Sequence, residues 1–329
     1  MNNILPLVKN ETIKIMKRKR FYIILLILLV LVPIFTYAQL KAAERNREKF
    51  GGDWRLELQQ AITDNQNSLG SDRVPEEWKR YRSVFIQQMQ YYLEHDINPN
   101  EPGAVTFTRE FMDNSVNLFI PLLIMAIASD LVSGERTAGT IKMLLTRPVR
   151  RWKVLLSKLL ALFMFVSLIV VSTFAMSYFI SGLFFGYRGF GVPVFTGFRI
   201  VGSNVDMSAV QAVPQWKYML LQCGLIWFVS MIVAMLAFMV SVLLRSTAAS
   251  IVVMMAALIA GTILTNMASS WESAKYLFMV NLGLTAYLAG NPAPIEGMTL
   301  PFSLTVLSVW GISALIVSFA VFTKRDILN

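Results

Sequence analysis

Six stretches of the chain are long and apolar enough to be read as membrane spans: 21–38, 115–131, 159–186, 218–244, 249–268 and 303–323. The first, FYIILLILLVLVPIFTYA, covers about 27 Å as a helix at ~1.5 Å per residue, enough for a bilayer core with its flanks. Pro33 predicts a kink within it. A cleaved signal peptide ending at Thr36-Tyr37-Ala38 is the alternative. The apolar run is too long for that, and the twenty residues before it are too elaborate. Those residues, MNNILPLVKNETIKIMKRKR, are too polar to span. Leu5, Val8, Thr12, Ile15 and Met16 fall on one helical face, with Lys9, Asn10, Lys14 and Lys17 largely on the other. This pattern predicts a helix over 1–20 lying in the membrane surface, with Lys17, Arg18, Lys19 and Arg20 anchored on anionic lipid.

Between the spans the pattern changes. Residues 39–114 carry ten Lys/Arg and thirteen Asp/Glu, and read as a small, mostly helical external domain between the first two spans. Within it, Pro75-Glu76-Glu77 opens a helix whose apolar stripe is Trp78, Tyr81, Phe85, Met89 and Tyr92. Such a stripe is more often core than binding site. A domain this small has a marginal core and is expected to lean on the spans or on another chain. Residues 187–217, rich in Gly, Pro and aromatics, read as an external loop or hairpin against the membrane face. Arg245-Ser246 is a short turn. The stretch 274–290 is apolar but short and is interrupted by Asn281, Gly283 and Gly290. It reads as a re-entrant or interfacial element rather than a span.

The stretch 130–158, DLVSGERTAGTIKMLLTRPVRRWKVLLSK, holds seven Lys/Arg against Asp130 and Glu135. Apolar residues recur at Ile141, Leu144 and Leu145, then at Trp152, Leu155, Leu156 and Leu159, which is helical spacing. Pro148 divides the two sets, because it pushes Arg147 out of the α region and suits the first turn of a new helix. The spacing predicts a short helix over 135–146 and another running from 148 into the next span.

Composition agrees with a membrane protein. Of 329 residues, 55% are hydrophobic and 15% charged, with a mean hydropathy of +0.56; a soluble domain is far less apolar. The net charge of +10 therefore bears on topology rather than on nucleic acid, for which no role is expected. With both termini inside, sixteen Lys/Arg fall on cytoplasmic segments, against four in the short external loops (Arg188, Arg199, Lys217, Lys275). That distribution satisfies the positive-inside rule. The single cysteine, Cys223, forbids an internal disulfide. One histidine, His95, and no Cys/His cluster give no metal site. No Ser-His-Asp arrangement is in prospect, and no G-x-x-x-x-G-K-[ST] occurs, so neither catalysis nor ATP binding is expected of this chain.

The order Glu135, Gly139-Thr140, Leu144-Leu145, Pro148, Arg151 and Lys158 resembles the cytoplasmic coupling segment of ABC-2-type ABC transporter permeases. The likeness covers about 25 residues, and the surface helix before the first span is similar to that family's elbow helix. The resemblance implies an all-α polytopic protein with six transmembrane helices and both termini cytoplasmic. It further implies a bacterial plasma membrane and a non-catalytic permease subunit, paired with an identical or sister permease on two copies of a cytoplasmic ABC ATPase. ATP and Mg would bind only to that ATPase. The coupling helix would dock in a groove of the ATPase. Glu135 and Arg136 would make polar contacts at its start, Gly139 and Thr140 allow close backbone approach, and Leu144 and Leu145 bury apolar surface. Arg150, Arg151 and Lys153 would face acidic ATPase surface or lipid headgroups.

Few charges fall within the spans, and short external loops suit export of a hydrophobic or amphipathic cargo. A membrane sensor or assembly factor signalling through the same helix is the alternative, as is an ion-efflux permease. Asp130 ends the second span and reads as a helix-end partner for a nearby Arg or Lys. Gln222, Asn266 and Asn281 are polar groups at or near membrane depth. They either hydrogen-bond between helices or line a substrate path, and the first is preferred.

Overall fold

The computed structural model describes residues 4–70, 76–140, 149–201, 204–267 and 271–324. Helix α1 (Leu5–Lys17) is followed at once by α2 (Arg20–Phe50), and Lys19, with φ 59°, turns the chain between them. Helix α2 runs unbroken through Pro33 and twelve residues past the expected end of the first span at 38. The apolar run gives way there to Gln, Lys, Ala, Glu and Arg, which are good helix formers. Gly51, at φ 64°, stops it. Helices α3 (Trp54–Leu69) and α4 (Glu76–Glu94) follow, and Asp53 caps α3 by accepting from the Arg55 N–H at 2.9 Å.

The next element departs from the hydropathy reading. In place of one span over 115–131 there are two helices, α5 (Ala104–Ser115) and α6 (Phe119–Ala128), bent by 62° at their junction. Pro121 explains the break. It has no N–H for the carbonyl of Asn117 four residues back, and its ring crowds that carbonyl. Arg109, Glu110, Asp113 and Asn114 hid α5 from the hydropathy pattern. The buried residues of α5 include Ala104, Phe107, Thr108, Phe111 and Met112, and of the four polar ones Asp113 is itself engaged by the buried Gln222.

The short α7 (Ser133–Thr137) precedes α8 (Arg151–Phe185), which is about 52 Å long at ~1.5 Å per residue. After α8 comes a feature that departs from an all-α fold: an antiparallel hairpin of four short strands. β1 (Pro193–Thr196) pairs with β4 (Gln211–Pro214), and β2 (Arg199–Val201) with β3 (Asn204–Asp206). Its register sets Pro193 opposite Pro214 and Arg199 opposite Asp206. Val, Ile, Phe and Thr between glycines favour strands.

Helices α9 (Gln215–Leu243) and α10 (Thr247–Met267) follow. The stretch expected not to span forms two 3₁₀ turns, at Glu272–Tyr276 and Phe278–Asn281, and a five-residue α11 (Thr285–Ala289). α12 (Leu300–Lys324) ends the described chain.

Among the described residues five helices, α2, α8, α9, α10 and α12, are long and apolar enough to cross a membrane, and the bent α5–α6 pair makes six if it counts as one span. The core sits on α8 and α9, whose Leu155, Leu162, Ile169, Ile226, Val233 and Phe238 pack against Ile120 and Ile124 of α6. Exposed Ile, Leu and Val occur on all five long helices, among them Leu26, Val171, Leu220, Val252 and Ile312. At the end of the bundle where α8 finishes, α4 supports the hairpin. The Phe195 N–H donates to the Tyr92 hydroxyl at 3.0 Å and the Val205 N–H to Gln87 Oε1 at 2.9 Å. The buried face of α4 is Val84, Gln88 and Tyr92, whereas Trp78 and Tyr81, expected in its core stripe, are exposed.

Candidate functional site

At the opposite end of the bundle, where α8 begins, the charged residues of 1–20 and 130–158 meet. Glu11 and Ile15 share the buried face of α1, and Lys158 lies among Leu155, Leu159 and Leu162 of α8. Each is a charge in an apolar stripe, and each needs a partner to be buried at tolerable cost. The partners are one another and α7. Lys158 Nζ lies 2.8 Å from Glu11 Oε2 and 2.8 Å from Glu135 Oε1. Lys14 Nζ lies 2.9 Å from Glu11 Oε1 and 2.9 Å from Glu135 Oε1. The four form a closed square of alternating charge joining α1, α7 and α8. Lys158 is 1% exposed and Glu135 3%. Burial pulls the Lys14 pKa down, but Glu11 and Glu135 beside it outweigh that and hold it above the ordinary lysine value.

A second cluster adjoins the first. Asp130, just past the end of α6, pairs with Arg18 and with Arg20, the latter at 3.1 Å, and accepts from the Thr247 hydroxyl at 3.2 Å. Arg18 also donates to the Asp130 carbonyl at 3.2 Å, and Arg20 to the Ala126 carbonyl at 2.7 Å. The Arg20 bond satisfies a carbonyl in the last turn of α6, whereas the Asp130 carbonyl also accepts from the Gly134 N–H at 3.0 Å. Asp130 is thus the helix-end partner of arginines. A Cβ on Gly134 would run into the Asp130 carboxylate, so a larger residue there would have to displace the Asp130–Arg18 pair. A cavity of about 20 Å³ between the two clusters has room for one water.

α7 is fastened on its other side too. Ser241 Oγ accepts from the N–H groups of Val132 and Ser133 at 3.1 and 3.0 Å. Arg136 donates to the carbonyls of Val242 at 2.7 Å and Leu244 at 3.3 Å, at the C-terminus of α9. Thr137 donates to the Arg245 carbonyl at 3.3 Å. Five residues, Ser133–Thr137, therefore sit at the meeting point of α1, α8 and the α9–α10 turn, next to the Asp130 clamp on α2.

Several sequence expectations change here. Of the helix expected over 135–146, the described part belongs to α7, which Ala138 caps before Gly139 turns left-handed at φ 70°; residues 141–146 lie outside the described residues. Leu144, Leu145 and Pro148 lie outside the described residues. Glu135 is not a surface contact. Its replacement by lysine is therefore not a surface charge reversal but a third ammonium beside Lys14 and Lys158. Arg136 faces the end of α9, Thr140 donates to the Glu135 carbonyl at 3.3 Å, and Arg151 reaches the Thr323 carbonyl of α12 at 3.5 Å. Of the four expected lipid anchors, Arg18 and Arg20 turn inward to Asp130, while Lys17 and Lys19 are exposed.

Gln222 and Asn281 are both buried. Gln222 bridges helices by donating to the Arg109 carbonyl at 2.8 Å and to Asp113 Oδ1 at 2.7 Å, whereas Asn281 bonds locally to the carbonyls of Lys275 and Leu277. The side chain of Asn266 lies outside the described residues. Glu11, Lys14, Gly134 and Ser241 were not singled out from the sequence. The available signal was Glu11, a carboxylate on an apolar helical face. Among the described residues no group of three or more His, Cys, Asp or Glu is arranged to hold a metal ion.

A family model described as protein of unknown function (DUF2705) matches residues 79–328. The chain is 29% identical over 330 residues to the uncharacterized protein YhcI of Bacillus subtilis (strain 168), covering 99% of this chain and 100% of that one. It is 29% identical over 216 residues to the uncharacterized membrane protein YdbK of the same organism, covering 65% of this chain and 80% of the relative.

Proposed function

The chain belongs to the DUF2705 family of proteins of unknown function, and from that premise we propose that it is the membrane-spanning permease subunit of an ATP-binding cassette exporter. It carries out no catalysis itself. A separate cytoplasmic ABC ATPase, in two copies, binds ATP and Mg and drives it, and a second permease subunit, identical or related, completes the pore. The protein sits in a bacterial plasma membrane with six spans, the bent α5–α6 pair being the second, and with both termini cytoplasmic. Its cargo is hydrophobic or amphipathic.

The observation that carries this reading is the way α7 is fastened. A transmission element must pass a push to several spans without yielding, and Ser133–Thr137 is tied to α1 and α8 through the buried ionic square, and to α9 and its turn through Ser241 and Arg136. The segment that follows, 138–153, is the part left to meet the ATPase. Its docking residues are Leu144, Leu145 and the basic run Arg150, Arg151 and Lys153. Glu135 and Arg136 act by positioning that segment and not by touching the partner. This division of labour fits a rigid lever better than a loop that merely holds lipid.

Affinity purification of the full chain in mild detergent, with mass spectrometry of what accompanies it, tests the reading. A soluble P-loop ATPase near one-to-one is expected, and Leu144→Arg should release it while the permease still inserts. Recovery of no ATPase, with partners unchanged by Leu144→Arg, would sink the proposal and favour the sensor or assembly-factor alternative. Topology has its own check. Single cysteines placed at exposed positions of α3, in a Cys223→Ser background, should react with an impermeant maleimide in intact cells. Labelling seen only after lysis would invert the arrangement.

A further inference from the structure

The apolar stripe of α4 runs nearly its whole length, yet only the later turns are covered. Val84, Gln88 and Tyr92 are buried. Trp78 and Tyr81 continue the stripe toward the N-terminus at helical spacing. They are 47% and 43% exposed, with their rings edge to face at 6.4 Å. Two large adjacent rings left open at the end of a core stripe mark a contact surface.

The fold fixes where those rings stand. Gln88 donates to the Gly290 carbonyl at 2.8 Å and to the Ala289 carbonyl at 3.4 Å, and Arg80 pairs with Glu296 at 3.4 Å. Gly290, at φ 70°, permits this approach, since a Cβ there would lie 2.9 Å from Gln88 Nε2. From Gln88 back to Arg80, α4 therefore follows the segment 289–296 toward the start of α12 at Leu300. The outward residues of α12, among them Val309, Ile312 and Ile316, are exposed and apolar, as suits a helix facing acyl chains. Tyr276 stands beside the first turns of α12. Its ring lies 5.7 Å from that of Phe302, and its carbonyl accepts from Trp310 Nε1 at 2.9 Å. Tyr276 and the nearby Trp271 are both exposed. Exposed Trp and Tyr beside the end of an apolar helix mark the level of the lipid headgroups, where a ring with one polar atom finds both its environments. The Arg80–Glu296 pair brings Trp78 and Tyr81 to that same edge.

We infer that the first turns of α4 rest in the bilayer leaflet at this end of the bundle, with Trp78 and Tyr81 inserted among the headgroups. The membrane itself covers the open end of the stripe, rather than a second copy of the chain or a soluble partner. Arg82, one turn on from Trp78 and on the same side of the helix, supplies a cation for lipid phosphate. The domain built on α3 and α4 is thereby held twice, by Gln88 and Arg80 to the chain and by Trp78 and Tyr81 to lipid.

The test uses the purified full chain in nanodiscs of phosphatidylcholine and phosphatidylglycerol, without ATP or other proteins, so its outcome is separate from that of the transporter reading. In a Cys223→Ser background, Trp78→Cys, Tyr81→Cys, Leu26→Cys and Gln59→Cys each carry a nitroxide. Its collisions with lipid-soluble oxygen and with a water-soluble nickel chelate give its depth. Leu26, exposed on α2, reports acyl chains, and Gln59, exposed on α3, reports water. The labels on Trp78→Cys and Tyr81→Cys should favour oxygen over nickel severalfold more than the label on Gln59→Cys. The native ring is read separately, with phosphatidylcholine brominated near the headgroup, where Trp78→Phe should remove a quenched component of the tryptophan emission. Labels at the two positions that behave like the one on Gln59→Cys would overturn the inference. Labels shielded from both reagents would overturn it as well, because protein would then cover these rings. An unquenched Trp78 component has the same force, and it decides the matter if the cysteine variants do not fold.

Discussion

Lys158→Met is expected to destabilise the protein by about 3–5 kcal/mol, the usual cost of removing one partner from a buried ion pair. Lys158 is 1% exposed and bridges Glu11 and Glu135 at 2.8 Å each. Methionine fits the same space, so the loss is electrostatic rather than a cavity effect. It leaves two buried carboxylates sharing only Lys14, which is partly open to solvent. Thermal unfolding in detergent should show a fall of at least ~6 °C, taking ~2–4 °C per kcal/mol for a chain of this class. Adding Glu11→Gln should recover part of the loss, because one of the two uncompensated charges is then gone. A double variant whose loss equals the sum of the two single losses would show that the square is not a coupled unit.

The second large effect is expected at Asp130. Asp130→Asn keeps the shape and removes the charge facing Arg18 and Arg20. Both guanidinium groups are about a third exposed, 35% and 33%, so screening limits the loss to about 1–3 kcal/mol. The loss falls on the junction of α1 and α2, which Lys19 holds in a left-handed turn. Local opening there exposes Lys17, Arg18, Lys19 and Arg20 to trypsin. Since each ~1.4 kcal/mol is tenfold in an equilibrium, cleavage in 17–20 should accelerate roughly tenfold, with the remainder of the chain still protected. Cleavage at the wild-type rate in a folded Asp130→Asn protein would mean that the arginines do not hold this junction.

These two residues also show where the sequence was legible. Asp130 read as a helix-end partner for arginine or lysine because a charge beside an apolar run and a basic segment has few other roles. The identity of the arginines, 112 positions away in the case of Arg18, was not readable. Lys17 to Arg20 form one basic run, and helical spacing alone does not say that Arg18 and Arg20 turn inward while Lys17 and Lys19 stay out. Glu135 stands out through the order of residues around it, and the resemblance to permease coupling segments puts it in contact with a partner chain. Burial came from α1 and α8 closing over it. The break at Val116–Leu118 had a visible cause in Pro121, but the charges of α5 concealed that a helix preceded it.

The sequence by itself determined the membrane character, the five long apolar helices among the described residues, a separate helix ahead of the first of them and the lack of a long helix over 274–290. Each follows from local hydropathy and spacing, which act over one or two helical turns. Only the tertiary structure decided that Glu11, Lys14, Glu135 and Lys158 form one square and that α5 and α6 break against each other. Those features depend on pairing across a hundred residues or more, or on the space that neighbouring helices leave, and desolvation makes such pairings strong only once the helices have packed.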